Sequence, residues 1–108
     1  MSLKTLTNTT PNVGLITTIR ARLTCLCPVN GRRDHARVEV SYSPTAALVE
    51  LESFAAYLGE FSEQHVSHEE ATASIHSAIN EIAAPDDLSV TTAWDAVEGV
   101  ECVVTARG

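Results

Sequence analysis

An α+β domain of order ββααββ is predicted by three features of the sequence: alternating segments either side of Asn30-Gly31, two stretches of helical spacing in the middle, and a second alternating pair near the C-terminus. In the first segment Val13, Leu15, Ile19, Ala21, Leu23, Cys25 and Cys27 occupy odd positions, while Thr18, Arg20, Arg22 and Thr24 occupy even ones. That period of two marks a half-buried strand. In the next segment Ala36, Val38, Val40 and Tyr42 alternate with Arg37, Glu39 and Ser41, and Asn-Gly between two such runs is the strongest short hairpin signal. With those two as the turn residues, the register pairs Leu23 with Val38, Ala21 with Val40, Ile19 with Tyr42, Arg22 with Glu39 and Cys27 with Asp34. Directly opposed side chains lie about 5 Å apart at Cβ, so Cys27 and Asp34 would touch.

Ser43-Pro44 ends the hairpin. Leu51, Phe54, Ala55 and Leu58 then recur at helical spacing in a short helix closing near Phe61. The second helix opens on Ser67-His68-Glu69-Glu70, a capping box with Ser67 as N-cap and Glu70 reaching back. Its apolar stripe is Ala71, Ile75, Ala78 and Ile82, and Pro85 stops it. Strands over 88–95 and 100–106 follow, aligning Leu88, Val90, Thr92 and Trp94, then Val100, Cys102 and Val104. Residues 1–11 are a Thr-rich tail and 12–108 one domain.

At 108 residues, 44% apolar and 19% charged, the chain has room for one such domain. A chain this short buries only about two-thirds of its unfolded surface, so shaping a ligand pocket calls for an oligomer. No run approaches the roughly 18 apolar residues of a membrane span, and the first ten residues lack the charged and apolar regions of a signal peptide. A cytoplasmic protein without a membrane partner is the expectation; Asn8-Thr9-Thr10 matches a glycosylation acceptor by letter only. Seven Lys and Arg against fourteen Asp and Glu give a net charge of −7, which disfavours a broad nucleic-acid-binding surface. The basic residues are nevertheless segregated: Lys4, Arg20, Arg22, Arg32, Arg33 and Arg37 precede a long stretch holding only acids. They form either a local docking strip or a solvated strand face. Three cysteines make no disulfide framework, and Cys25-Leu26-Cys27 lacks the second paired spacing that a zinc site needs.

Two places could carry chemistry. Cys27 sits at a strand end before a turn, with Arg32 and Arg33 close in sequence, and cations favour the nucleophilic thiolate. The competing reading makes Cys25, Cys27 and Cys102 three small buried apolar residues. His68 and Glu69 lie in the first turn of a capped helix, where the macrodipole favours negative charge on Glu69. An ionised carboxylate suits a planar edge with two adjacent N–H donors, as on a guanine-like base. Helix stabilisation explains Glu69 equally well but gives His68 no role, and His35, His65 and His76 read as incidental.

The run Leu23-Thr24-Cys25-Leu26-Cys27-Pro28-Val29-Asn30-Gly31-Arg32-Arg33-Asp34 resembles the nucleophile segment of the QueF nitrile reductases, and Leu48-Val49-Glu50, Tyr57-Leu58 and His68-Glu69 follow in that family's order and approximate spacing. The resemblance implies a tunnelling fold (T-fold): an antiparallel sheet with two helices on one face, whose subunits assemble as a pentamer or decamer closing a β-barrel, with sites at subunit interfaces. By the same resemblance Cys27 attacks the nitrile of 7-cyano-7-deazaguanine to give a thioimide, Asp34 protonates the nitrile nitrogen, His68 assists, Glu69 anchors the base and Glu50 is a second substrate contact. Where the reductases carry two lysines that hold NADPH, this chain has Glu52 and Ala55, and a carboxylate repels a phosphate-rich cofactor. The chain is therefore more similar to the QueF-like amidinotransferases, which need no cofactor and use ammonia, free or from a partner protein, to make the formamidine of archaeosine. The substrate would be the base within tRNA or DNA, or free. The alternatives are an NADPH-dependent nitrile reductase and a non-catalytic T-fold protein binding a purine or pterin.

Overall fold

The computed structural model describes residues 3–108. A four-stranded antiparallel sheet is built from β2 (Thr17–Leu26), β3 (Arg33–Ser43), β5 (Asp87–Val97) and β6 (Val100–Arg107), in the spatial order β2-β3-β5-β6. A two-stranded ribbon pairs β1 (Thr5–Thr7) with β4 (Ala47–Val49). Helices α1 (Leu51–Gly59) and α2 (His68–Ala83) lie between the two hairpins in sequence. This is the T-fold arrangement within one chain. The helices pack on one face, α1 against β2 and α2 against β5 and β6.

The alternation is what makes that face. Ile19, Leu23, Cys25, Ala36, Val38, Val40, Tyr42, Leu88, Val90 and Trp94 all point toward the helices and are buried. The helices return Phe54, Tyr57, Leu58, Ala71, Ile75, Ala78 and Ile79. On α1 the buried stripe is Ser53, Phe54, Tyr57 and Leu58, so Leu51 and Ala55, expected in that stripe, are exposed instead. Helical spacing alone leaves the phase of so short a stripe open by one position, and Tyr57 is what claims the core side, its hydroxyl donating to Ser74 O at 3.2 Å. Helix α2 starts as expected, with Ser67 Oγ accepting from Glu70 N at 3.0 Å. It ends at Ala84, which takes the left-handed conformation before Pro85.

The register of the first hairpin differs from expectation by two residues. Arg20 stands opposite Glu39, Arg22 opposite Arg37, and Cys25, not Cys27, opposite Asp34. The loop holds four residues, 28–31, closed by Cys27 N donating to Arg32 O at 2.7 Å and Gly31 N to Cys27 O at 2.9 Å. Pro28 is the cause. In a two-residue loop it would fall on a ladder rung, where it has no N–H to give; in the four-residue loop it leaves the ladder, and Gly31 supplies the positive φ of 73°. A shift of two keeps every side chain on its own face, so the core is as expected while the polar pairings change. The first strand is also shorter than expected. Residues 13–15 would have to pair beyond Ser43, where Pro44 ends β3, so Val13 and Leu15 are exposed and β2 begins at Thr17.

The N-terminal stretch carries β1, an element the sequence pattern did not mark. Tyr42 holds the ribbon to the main sheet by accepting from Val49 N at 3.0 Å. Asn8 is buried, its amide donating to Thr45 O at 2.8 Å. Among the described residues no helix is long and apolar enough to cross a membrane.

Candidate active site

Three segments meet where the β2–β3 turn approaches the start of α2. The strand end does the positioning: Leu26 N donates to Gln64 O at 2.9 Å and accepts at its own carbonyl from Val66 N at 3.1 Å, so residues 64–66 run parallel beside β2. Arg33 secures the same segment, with Nη1 on Ser62 O at 3.1 Å and Nη2 on Glu63 at 3.3 Å. The chain then enters α2 with His68 over the sheet, where its ring stacks on Trp94 at a centroid distance of 3.9 Å and an interplanar angle of 4°.

Asp34 is the hub. It is 6% exposed, on the helix side of β3, with Oδ1 accepting from Arg32 Nε at 3.0 Å and Oδ2 facing His68 Nε2 at 3.3 Å. A buried carboxylate is tolerated because it is paired and hydrogen-bonded on both oxygens. Behind His68 runs a hydrogen-bond chain whose direction can be read outright. Thr72 Oγ1 donates to the His68 carbonyl at 2.7 Å, Trp94 Nε1 donates to Thr92 Oγ1 at 2.8 Å, and the two threonine hydroxyls lie 2.7 Å apart. Each hydroxyl has one proton, so Thr92 must donate to Thr72. The chain from Trp94 to the backbone of His68 is complete, and both threonines are fully buried.

The two neighbouring cysteines differ sharply. Cys25 is fully buried, its thiol 3.9 Å from Val66 O. Burial first, then the charges of Asp34 and Cys27, push it up to about 11. Cys27 is half-buried in the turn, where the backbone amides of Asn30 and Val29 favour the thiolate and hold its thiol below the ordinary value. Arg32 adds to this and Asp34 opposes it. The arginines expected to activate Cys27 are therefore secondary to the loop itself, and the sequence signal for it was Pro-Val-Asn-Gly following the cysteine.

Alkylation should read this difference directly. Near neutral pH, iodoacetamide is expected to label Cys27, with an inflection lower than that of an ordinary free thiol, and to spare Cys25 until the chain unfolds. The sign for stability is opposite at Cys25. Its folded value is raised, so its contribution is complete below the unfolded thiol value and is lost as pH climbs toward 11. Labelling of both cysteines at equal rates in the folded protein would contradict the assignment.

The remaining expected residues lie in two places. Glu69 is exposed in the first turn of α2, next to His68. Glu50 is outside this cluster: it is the N-cap of α1, its carboxylate accepting from Ser53 N at 2.8 Å and Glu52 N at 2.7 Å. Those amides hold the Glu50 carboxyl below its usual range, with Lys4 contributing least. Cys102 pairs with Trp94 across β5–β6. Among the described residues no group of three His, Cys, Asp or Glu is placed to hold a metal. Sequence reasoning gave no role to Trp94, Thr92 and Thr72, which only the packing of α2 on β5 brings to His68.

The family described as "QueF-like protein" matches residues 33–108. The chain is similar to proteins named NADPH-dependent 7-cyano-7-deazaguanine reductase. The one from Syntrophobacter fumaroxidans is 36% identical over 99 residues, covering 87% of this chain and 64% of that protein. The one from Aquifex aeolicus is 36% identical over 84 residues, covering 78% and 65%, so the chain spans just under two-thirds of both. The one from Thioalkalivibrio sulfidiphilus is 35% identical over 100 residues, covering 90% and 78%. Among solved structures, the apo form of the archaeosine synthase QueF-Like superposes with a TM-score of 0.81 at 24% identity, over 85% of this chain and 91% of that one.

Proposed function

This chain belongs to the QueF-like family, and on that premise we propose that it is an amidinotransferase acting on a 7-cyano-7-deazaguanine base. The Cys27 thiolate adds to the nitrile carbon, forming a C–S bond while the nitrile nitrogen takes up a proton, which gives a thioimide. Ammonia then adds to that carbon and the Cys27 thiolate leaves, giving the formamidine. The sum is addition of one ammonia, with no oxidation or reduction, so no nicotinamide is consumed.

The observation that carries this reading is the pairing of a thiolate-stabilising turn with the Asp34–His68 hydrogen bond beside it. A nitrile needs a nucleophile at carbon and a proton at nitrogen in the same step. In this scheme Asp34 and His68 share the proton that goes to nitrogen, with Arg32 holding the other oxygen of Asp34 and Trp94 holding the plane of His68. Glu69 accepts from the two adjacent N–H donors of the base. Glu50, committed to capping α1, serves as a substrate contact only where a second subunit brings it to the site. Among the described residues the β6 edge and most of the β2 edge carry no neighbouring strand, and pairing between those edges would close the ring.

Ammonia is preferred over hydride as the second reactant because Glu52 and Ala55 are both exposed on α1 and give a dinucleotide phosphate no positive partner. The names of the reductase relatives favour the second reading, reduction by NADPH. Product mass separates them: an ammonium-dependent gain of ammonia supports the proposal, and substrate-dependent loss of NADPH absorbance with gain of hydrogen overturns it.

Glu69→Gln tests recognition. The amide offers one acceptor where the carboxylate offers two, leaving a donor of the bound base unsatisfied at a cost of roughly 1–3 kcal/mol. Calorimetry should show weaker binding of the base with little change in melting temperature. Equal affinity would return Glu69 to helix stabilisation.

A further inference from the structure

The face of the sheet turned away from the helices carries a second concentration of charge. Arg20, Arg22, Arg37 and Glu39 surround a concavity of about 390 Å³, bounded toward β5 by Thr91 and Ala93. Arg20 is neutralised by Glu39 at 2.9 Å. Arg32 is on Asp34 and Arg33 on Glu63, both at the other end of the hairpin. Arg22 and Arg37 stand directly opposite one another on β2 and β3, and among the described residues neither has a hydrogen-bond or ion-pair partner. Across the sheet their row continues through Ala93 and Val103 and holds no acid.

Like charges directly opposed on neighbouring strands destabilise a sheet. The chain has fourteen acids and seven bases, so an arginine facing an arginine is not forced by composition. We propose that Arg22 and Arg37 form a binding site for the phosphate group of a di- or polyphosphate or of a polynucleotide backbone. Two guanidinium forks fit a tetrahedral oxyanion, which presents an oxygen edge to each; a carboxylate has one such edge and is satisfied by one arginine. The concavity exceeds a single phosphate, and Thr91, whose hydroxyl is hydrogen-bonded to that of Thr105 at 3.0 Å, lies at its rim. Arg20, already paired, contributes background charge. Because the chain as a whole carries −7, affinity rests on this local pair and falls steeply with added salt. The site is on the opposite face from Cys27, Asp34 and His68 and stands whether or not the proposed reaction does.

The test is titration of the full chain at low ionic strength with pyrophosphate in one arm and a short oligothymidylate in the other, repeated with Arg22→Gln and Arg37→Gln. At least one probe should bind the parent chain, and each substitution should weaken it roughly tenfold or more, the loss of one charge-assisted contact. In the absence of ligand each variant should melt at the same temperature or higher, since it removes a repulsion; a site lost through misfolding would melt lower. Binding confined to pyrophosphate identifies a free polyphosphate, and binding confined to oligothymidylate identifies a backbone. The proposal is overturned if neither probe binds, or if binding survives both substitutions.

Discussion

Asp34→Asn is expected to slow thioimide formation by about 100-fold or more, the usual contribution of a general acid, with affinity for the base near that of the parent. The substitution preserves shape and polarity: the amide oxygen can still accept from Arg32, and the amide nitrogen can face His68. What it removes is a group that holds and releases a proton next to the reacting nitrile. Single-turnover measurement of adduct mass against time gives the rate, and binding to Cys27→Ala combined with Asp34→Asn gives the affinity without chemistry. Full-rate adduct formation in Asp34→Asn would reduce Asp34 to a structural role, holding His68 and Arg32 in place.

Cys27→Ala should abolish both adduct and turnover, because no other sulfur can substitute. Cys25 is nearest in sequence but is sealed under the helices and held protonated up to about 11, and Cys102 lies on β6, opposite Trp94. Cys25→Ala is expected to keep the reaction and lose stability by on the order of 1 kcal/mol, as small core truncations do. Turnover persisting in Cys27→Ala would remove the covalent mechanism altogether.

Much of this was legible in the sequence because the fold rests on periodicity. The period-two runs, the Ser67 cap and Pro85 located two hairpins and a long helix, since burial of one face leaves few alternatives. The register was not legible. Asn30-Gly31 is a strong local signal for a two-residue turn, and Pro28 two positions earlier overrides it by refusing a place on the ladder. That single residue moves Asp34 from Cys27 to Cys25, turns an expected Arg22–Glu39 ion pair into Arg20–Glu39, and creates the Arg22–Arg37 opposition. The juxtaposition of Asp34 with His68 did not depend on register in the end. It depends on residues 64–66 pairing beside Leu26, a three-residue tertiary contact with no periodic signature. The stack of His68 on Trp94 and the threonine chain beneath it are likewise products of helix-on-sheet packing, which composition and spacing do not encode residue by residue.

The central claim is that the turn after β2 presents a reactive thiolate to a nitrile-bearing deazaguanine. Incubating the full chain with 7-cyano-7-deazaguanine in the absence of ammonia, then taking an intact mass and mapping the modified peptide, tests it most directly. The account predicts a gain equal to the whole mass of the base, carried on Cys27 and discharged when ammonium is added. An unchanged mass at saturating base, or a modification on Cys25 or Cys102 instead, would contradict it.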